Sequence, residues 1–357
     1  MNKVVKRSLI GLAGIGILTV GGIYLTFGQD IKSINSIELV DEYGLYKMEI
    51  HGDYGLDKLI EQGGASTDQE LVEFNIDHIL KGLPVNFDVP DFGCSTFQAV
   101  TKEGDFLMGR NYDLDYAPGM IVITEPDNGY KSVSVANIAV LGYGEDKLPT
   151  NFANSFMNLA APYLPMDGMN EKGLSIGVLL IRDDITKQET DKVDMTTTAM
   201  IRYVLDKAAT VEEAVKLFES VDMHSSANAS YHFQLADATG DSALIEYVNS
   251  ELHVTRKGQT DKPMALTNFI VADANYGFGH GHDRYDVVTD ALEASNSVLS
   301  EEEAMSVLQS VSVKNYDEQT QTGSDTQWSV VYNNTDLTFD IVAGGNFEVV
   351  HSFAPFE

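Results

Sequence analysis

Positive charge is scarce in this chain, and cysteine is almost absent. Only 23 lysines and arginines stand against 54 aspartates and glutamates, for a formal net charge of −31. Phosphate binding needs clustered Lys and Arg, so this balance excludes a nucleic-acid partner. It suits a soluble, self-repelling body outside a cell, or a protein from a salty habitat. The sequence has no glycine-rich phosphate loop, no internal repeat and no low-complexity tract. Its single cysteine, Cys94, cannot form an internal disulfide. What is present is 43% apolar residues, which excludes disorder and supports a sizeable packed core.

Near the N-terminus, Lys3, Lys6 and Arg7 precede an uncharged run from Ser8 to Phe27. A helix of that length rises about 30 Å, enough to cross a hydrocarbon core. A removed signal has a shorter apolar region of ~7–15 residues and a small-x-small cleavage site. Tyr24-Leu25-Thr26-Phe27-Gly28 offers no such site. The expected organisation sets an anchor or signal over 1–28 apart from the rest of the chain. The basic flank stays inside, so the body is expected to be extracytoplasmic, held at the cell membrane by a single-pass helix or secreted if the run is cut away. A lone thiol in an exported chain is either a buried small hydrophobe or a reactive group.

Residues 28–93 read as a connector with modest structure. Within it, apolar residues at 71, 72, 74, 76, 79 and 80 mark an amphipathic helix over 68–80, capped near Ser66 or Thr67 and broken by Gly82, Pro84 and Pro90. A hairpin is expected from 96–101 and 106–108 around Lys102-Glu103-Gly104-Asp105. Further strands are expected at 120–124, 131–140, 173–181, 230–238, 242–248, 251–256, 327–332, 337–342 and 347–353. Helices are expected from about Thr196, then at 211–218, 283–293 and 300–311, the last opening with Ser300-Glu301-Glu302-Glu303. Strand clusters with a few helices between them indicate α+β layers.

The run Phe92-Gly93-Cys94-Ser95-Thr96-Phe97, followed by Gly109-Arg110-Asn111-Tyr112-Asp113, places a cation and a carboxylate shortly after the thiol. Asp167-Gly168-Met169-Asn170-Glu171-Lys172-Gly173-Leu174, the stretch from His232 to Tyr247, Leu266-Thr267-Asn268 and Asp283-Arg284-Tyr285 follow in order. Together these motifs resemble the choloylglycine hydrolase family of N-terminal-nucleophile amidases, which includes bile salt hydrolases and penicillin V acylases. The acid ceramidase and N-acylethanolamine acid amidase group shares the opening motif. The resemblance covers roughly 94–295 well and the last sixty residues weakly.

This resemblance implies a four-layer αββα sandwich, here preceded by an N-terminal transmembrane helix. It implies a propeptide or small-subunit segment over 29–93, a catalytic domain over 94–357, and peptide cleavage between Gly93 and Cys94, which frees an α-amine beside the thiol. An α-amine titrates near pH ~7.7–8.0 and can serve as a general base. The thiolate then attacks an amide carbonyl, a thioester forms, and water releases the acid. Also by resemblance, Arg110 and Asp113 orient and tune Cys94, Asn268 lies on the oxyanion side, and Arg284 is a second active-site arginine. No cofactor and no metal are implied. The expected partner is a small-molecule N-acyl amide, with the membrane engaged through the N-terminal helix. Oligomeric state stays open, a homo-oligomer included.

Two positions depart from the family pattern. Where bile salt hydrolases carry Asn and penicillin V acylases Tyr, the register gives Leu180, which makes a substrate-binding wall more apolar. About ninety residues also precede the nucleophile, similar to the acid ceramidase group. Asn170 stands as a substrate contact or as the cap of its own turn. Rival readings are a papain-like Cys–His enzyme, a metal site at His280-Gly281-His282-Asp283, and a non-catalytic surface binding protein. Among substrates, N-acyl amides with a long apolar acyl chain come first, then conjugated bile salts, then penicillin V-like molecules.

Overall fold

The computed structural model describes residues 27–80, 93–144, 146–181, 184–259, 262–272, 279–317 and 323–357. Two large sheets dominate it. The nine-stranded sheet runs Glu38–Asp41, Leu45–Ile50, Gly119–Thr124, Ser132–Asn137, Pro165–Asn170, Ser175–Ile181, Ser230–Ala236, Ser242–Val248 and Glu251–Arg256 from edge to edge. The six-stranded sheet runs Ala265–Leu266, Gly93–Val100, Phe106–Leu114, Asp325–Asn333, Thr338–Ala343 and His351–Phe353. Inner-face side chains join the two: Thr96 bonds Gln234, Ser175 meets the Met108 sulfur, and Trp328 and Tyr332 reach Asp167. Successive strand residues point to opposite faces, so each strand of the six-stranded sheet has a second set of side chains to bury. Phe97, Ala99, Leu107, Val331 and Val342 do this against Val288, Leu292, Ala304 and Leu308 of the helices His282–Ala294 and Glu301–Ser310. Helix Thr197–Lys207 packs on the outer face of the nine-stranded sheet, over Pro165–Asn170 and Ser175–Ile181. Both sheets are mainly antiparallel, stacked between helices, which makes the fold α+β.

The helices start where side chains satisfy their free backbone donors. Thr67 accepts from the Glu70 nitrogen at the start of Asp68–His78, and Thr210 caps Val211–Glu219 in the same way. Ser300 and Glu303 form a reciprocal capping box ahead of Glu301–Ser310.

The segment ahead of Cys94 differs from the modest connector read in the sequence. Leu45–Ile50 pairs in parallel with Gly119–Thr124, residue for residue from Leu45 with Gly119 to Ile50 with Thr124. Glu38–Asp41 extends the sheet beyond it. Tyr54 then anchors the segment to the chain that follows Cys94. Its hydroxyl donates to Asp206 at 2.6 Å, and its carbonyl accepts from the Tyr163 hydroxyl at 3.1 Å. Arg202 pairs with Asp206 at 2.6 Å, and all these groups are buried. Pro84 and Pro90 lie outside the described residues.

The expected apolar span from Ser8 to Phe27 lies, but for its last residue, outside the described residues. Among the described residues no helix is long and apolar enough to cross a membrane. The strand expected at 131–140 ends at Asn137, where the side chain accepts from Ala139 and starts a short 3-10 turn over Ile138–Leu141. The strand expected at 347–353 shrinks to His351–Phe353.

Candidate active site

Cys94 sits on a strand buried on both faces, one residue from its beginning. It pairs with Tyr112, and Thr96 pairs with Arg110, so the thiol and the guanidinium share the inner face. Arg110 Nη2 stands 3.5 Å and Nη1 3.9 Å from the Cys94 sulfur. Three further contacts fix the guanidinium. Its Nη2 donates to the Val178 carbonyl at 2.6 Å, its Nε pairs with Asp167 at 2.9 Å, and its carbon lies 5.3 Å over the Tyr112 ring. Gly177 leaves room for this approach, because a Cβ there would meet Arg110 Cδ at 3.2 Å.

The backbone of Cys94 is held from elsewhere. Ala265–Leu266 pairs with Thr96 and Phe97 at the sheet edge, so the chain continuing through Thr267 brings Asn268 alongside Cys94. The Cys94 nitrogen donates to Asn268 Oδ1 at 3.0 Å. Asn268 Nδ2 spends one proton on the Leu180 carbonyl at 2.8 Å, which leaves its second N–H for another acceptor. Arg284 enters from the opposite face. Its Nη1 donates to the Cys94 carbonyl at 2.5 Å and to Ser95 Oγ at 2.8 Å, and its Nη2 to Asn268 Oδ1 at 2.6 Å. Gly281, at φ 83°, precedes the helix that carries Arg284. A Cβ there would lie 2.6 Å from the guanidinium.

Asp113 is the third charged group. It is buried opposite Gly93, accepts from Thr326 Oγ1 at 2.7 Å and lies 3.5 Å from Arg284. Burial pushes its carboxyl upward while Arg284 pulls it back, and Asp167 is pushed up the same way against the pull of Arg110. Burial also pushes the Cys94 thiol up to about 12, with Arg110 opposing. With the peptide bond before it intact, the thiol is therefore protonated near neutrality and needs a base to become a nucleophile.

The five residues expected to carry the chemistry thus lie together. Of the two readings of Asn170 the turn cap holds and the substrate contact does not, and the expectation for the Leu180 side chain is corrected. Asn170 makes no approach to Cys94: its Nδ2 donates to the Leu205 and Ala208 carbonyls, and its Oδ1 accepts from the Lys172 and Leu174 nitrogens. With all four positions spent on the turn at Gly173, it has nothing left for a substrate. Leu180 meets the site through its carbonyl; its side chain, by strand alternation, lies on the face opposite Gly177, with Val178 and Tyr231. Sequence reasoning passed over Asp167 and Thr326, which hold Arg110 and Asp113. Asp167 had a signal, since it opens the motif that ends at Leu174. At the rival metal site, His282 stacks on Phe269 with ring centroids 3.9 Å apart. Among the described residues no three His, Cys, Asp or Glu side chains are grouped to hold a metal.

Comparison with known proteins agrees with this geometry. Residues 94–277 match the model for linear amide C–N hydrolases of the choloylglycine hydrolase family. A bile salt hydrolase/transferase of Clostridium perfringens is 31% identical over 179 residues, 45% of this chain and 50% of that protein. A penicillin V acylase of Pectobacterium atrosepticum is 36% identical over 96 residues, 24% of this chain and 26% of the acylase. The chain therefore spans about half the length, or less, of these curated relatives. Among solved structures, a cysteine-to-alanine mutant of the Clostridium perfringens conjugated bile acid hydrolase superposes with a TM-score of 0.55 at 17% identity. That superposition covers 73% of this chain and 92% of the other, and it establishes the fold. With more than half of its residues inside the family match and a cysteine held by two arginines, an aspartate and an asparagine, this chain belongs to the choloylglycine hydrolase family of linear amide C–N hydrolases.

Proposed function

We propose that the chain is a cysteine N-terminal-nucleophile amidase, activated by its own cleavage between Gly93 and Cys94. The observation that carries this reading is the grip on one residue: Arg110 at its sulfur, Asn268 at its nitrogen and Arg284 at its carbonyl. In the first step the Cys94 sulfur attacks the Gly93 carbonyl carbon, the Gly93–Cys94 C–N bond breaks, and the thiol proton passes to the departing nitrogen. Water then hydrolyses the thioester, which yields the Gly93 carboxylate, a free thiol and a free α-amine.

Catalysis repeats this chemistry on a substrate amide. The α-amine takes the thiol proton, the thiolate attacks the carbonyl, and the proton goes to the leaving amine. The remaining N–H of Asn268 Nδ2 donates to the developing oxyanion, a contact typically worth about 2.7–4 kcal/mol. Arg110 stabilises the thiolate, held in place by Asp167 and the Val178 carbonyl. Asp113 and Arg284 orient the new amine. Replacing Cys94 by Ala tests the reading: self-cleavage and amidase activity should both vanish, and an uncut wild-type chain with full activity would overturn it. A non-catalytic binding protein would instead keep its ligand in that variant.

Among substrates the reading favours N-acyl amides with a long apolar acyl chain, such as N-acylethanolamines or fatty acyl–amino acid conjugates. This preference rests on the proximity to lipid that a retained anchor would give; the cavity of about 50 Å³ walled by Leu71, Val72, Val140, Leu164, Met166 and Val178 lies across the nine-stranded sheet from Cys94 and is no acyl site. Retention of the run from Ser8 to Phe27 as a membrane anchor would keep the site near lipid amides, with the catalytic body extracytoplasmic. The names of the relatives favour a second reading, in which conjugated bile salts or penicillin V are cleaved. Hydrolysis of an oleoyl-ethanolamide against a glycine-conjugated bile salt decides between them: faster turnover of the bile salt reverses the order.

A further inference from the structure

We propose that His232 and Glu246 form a buried clamp that holds Asn268 in register with Cys94, and that both are positioning residues for the nucleophile. The inference rests on the amidase reading of Cys94 for its catalytic consequence, although its geometry stands alone.

The two residues lie on neighbouring strands, Ser230–Ala236 and Ser242–Val248, and both are fully buried. His232 Nε2 lies 2.6 Å from the Thr267 carbonyl, which can only accept. His232 Nδ1 lies 3.2 Å from Glu246 Oε1. The carboxylate is fully engaged from the other side: Oε1 accepts from the Val271 nitrogen at 2.8 Å, and Oε2 from the Ala272 nitrogen at 2.7 Å. Both ring nitrogens thus face acceptors, and both carboxylate oxygens face donors. The ring Nε2 donates to the Thr267 carbonyl, and Glu246 holds the ring from its other side.

The consequence lies in where these bonds land. Thr267 immediately precedes Asn268, and Val271 and Ala272 follow it closely. The clamp therefore grips the chain on both sides of the residue whose amide meets the Cys94 nitrogen, Arg284 and the Leu180 carbonyl. Asn268 lies on a strand of only two residues, Asn268–Phe269, paired with Gly279–His280, so little regular structure fixes it otherwise. A polar pair sealed inside the fold carries a desolvation cost unless every group is matched, and here every group is matched onto one short stretch of backbone.

The test uses the full-length protein and the fact that Cys94 is its only thiol. In His232→Gln a side-chain N–H can still reach the Thr267 carbonyl while the link to Glu246 is lost. Glu246→Gln leaves one oxygen where two accepted. In each variant kcat should fall about tenfold or more with KM within about twofold, because a small misplacement of a site group costs rate before binding. The rate of Cys94 alkylation by iodoacetamide should change in step. Unchanged kcat and alkylation in folded variants overturn the clamp. If neither variant folds, nitrogen NMR of the His232 ring in the wild type decides: a proton on Nε2 hydrogen-bonded to the Thr267 carbonyl supports the clamp, and a bare Nε2 overturns it. A wild type without amidase activity, but with Cys94 alkylation altered in the variants, would sink the amidase reading and leave the clamp standing.

Discussion

Arg110 on one sheet and Asp167 on the other form an ion pair 2.9 Å long, with both side chains sealed from solvent. Trp328 and Tyr332 donate to the same carboxylate, so its oxygens are all committed. The thiol of Cys94 is thereby tied to the packing of the two sheets. Replacing Asp167 by Asn leaves the Arg110 charge buried and unbalanced, a change that costs about 3–5 kcal/mol in comparable sites. A thermal or denaturant melt of the variant should show a large loss of stability. A midpoint close to that of the wild type would contradict the assignment of this pair as a structural support.

Asn268→Ala removes the acceptor for the Cys94 nitrogen and one ligand of Arg284. Self-cleavage should slow by about 10²–10³, the range for loss of one oxyanion donor. Mass spectrometry over time after expression reads this as accumulation of the uncut chain.

Proton linkage at Cys94 gives a separate check. Burial pushes the thiol of the uncut chain up to about 12, above the ~8.5 of an exposed thiol. Because the folded value is the raised one, the neutral thiol favours the folded uncut chain below about pH 8.5, and that advantage disappears as pH climbs toward about 12. In uncut Asn268→Ala protein, iodoacetamide labelling should therefore keep rising about tenfold per pH unit well past the range of a free thiol. A plateau near pH ~9 would contradict the burial of this group.

Gly177 leaves the nine-stranded sheet without a side chain beside the Arg110 stem. A methyl group there would press on Met108 Cε at 2.9 Å and Arg110 Cδ at 3.2 Å. The methionine end can swing aside, whereas the guanidinium is held at four points. Gly177→Ala should cost about 1–3 kcal/mol of stability by overpacking and lower kcat more than it raises KM. Steady-state kinetics on the purified variant check this.

The segment before Cys94 is tied in by a strand ladder and by Tyr54. After cleavage the two pieces should separate on a denaturing gel and elute together in native size exclusion. Tyr54→Phe removes a hydroxyl that donates to Asp206 and should destabilise the protein by about 1–3 kcal/mol without changing KM.

Much of the site was legible because its residues sit in motifs that follow one another in the order of the family they resemble. The pairing of Cys94 with Tyr112 and of Thr96 with Arg110, and the edge strand that carries Asn268 into place, come from the structure. Helix starts were legible wherever a Ser or Thr preceded an acidic third residue, as at Thr67, Thr210 and Ser300. The strand Pro165–Asn170 was missed because proline, glycine, aspartate and asparagine give it little strand propensity, and its form comes from burial between two neighbours. Glu38–Asp41 was missed because it is a polar, half-exposed edge. Asp167, His232 and Glu246 act through partners far away in sequence, and no local pattern names those partners.

The parallel ladder between Leu45–Ile50 and Gly119–Thr124 has a thermodynamic consequence. In the uncut chain the two strands are joined through Gly93–Cys94, so their meeting is a loop closure. Under the proposed cleavage of that bond, the same meeting becomes an association of two molecules. Folding of the precursor would then be independent of concentration, whereas refolding of the cleaved enzyme would be second order, with a midpoint that rises with protein concentration. The proposed cut would thus make the cleaved state one that is reached through the precursor and is not readily regained from its separated pieces.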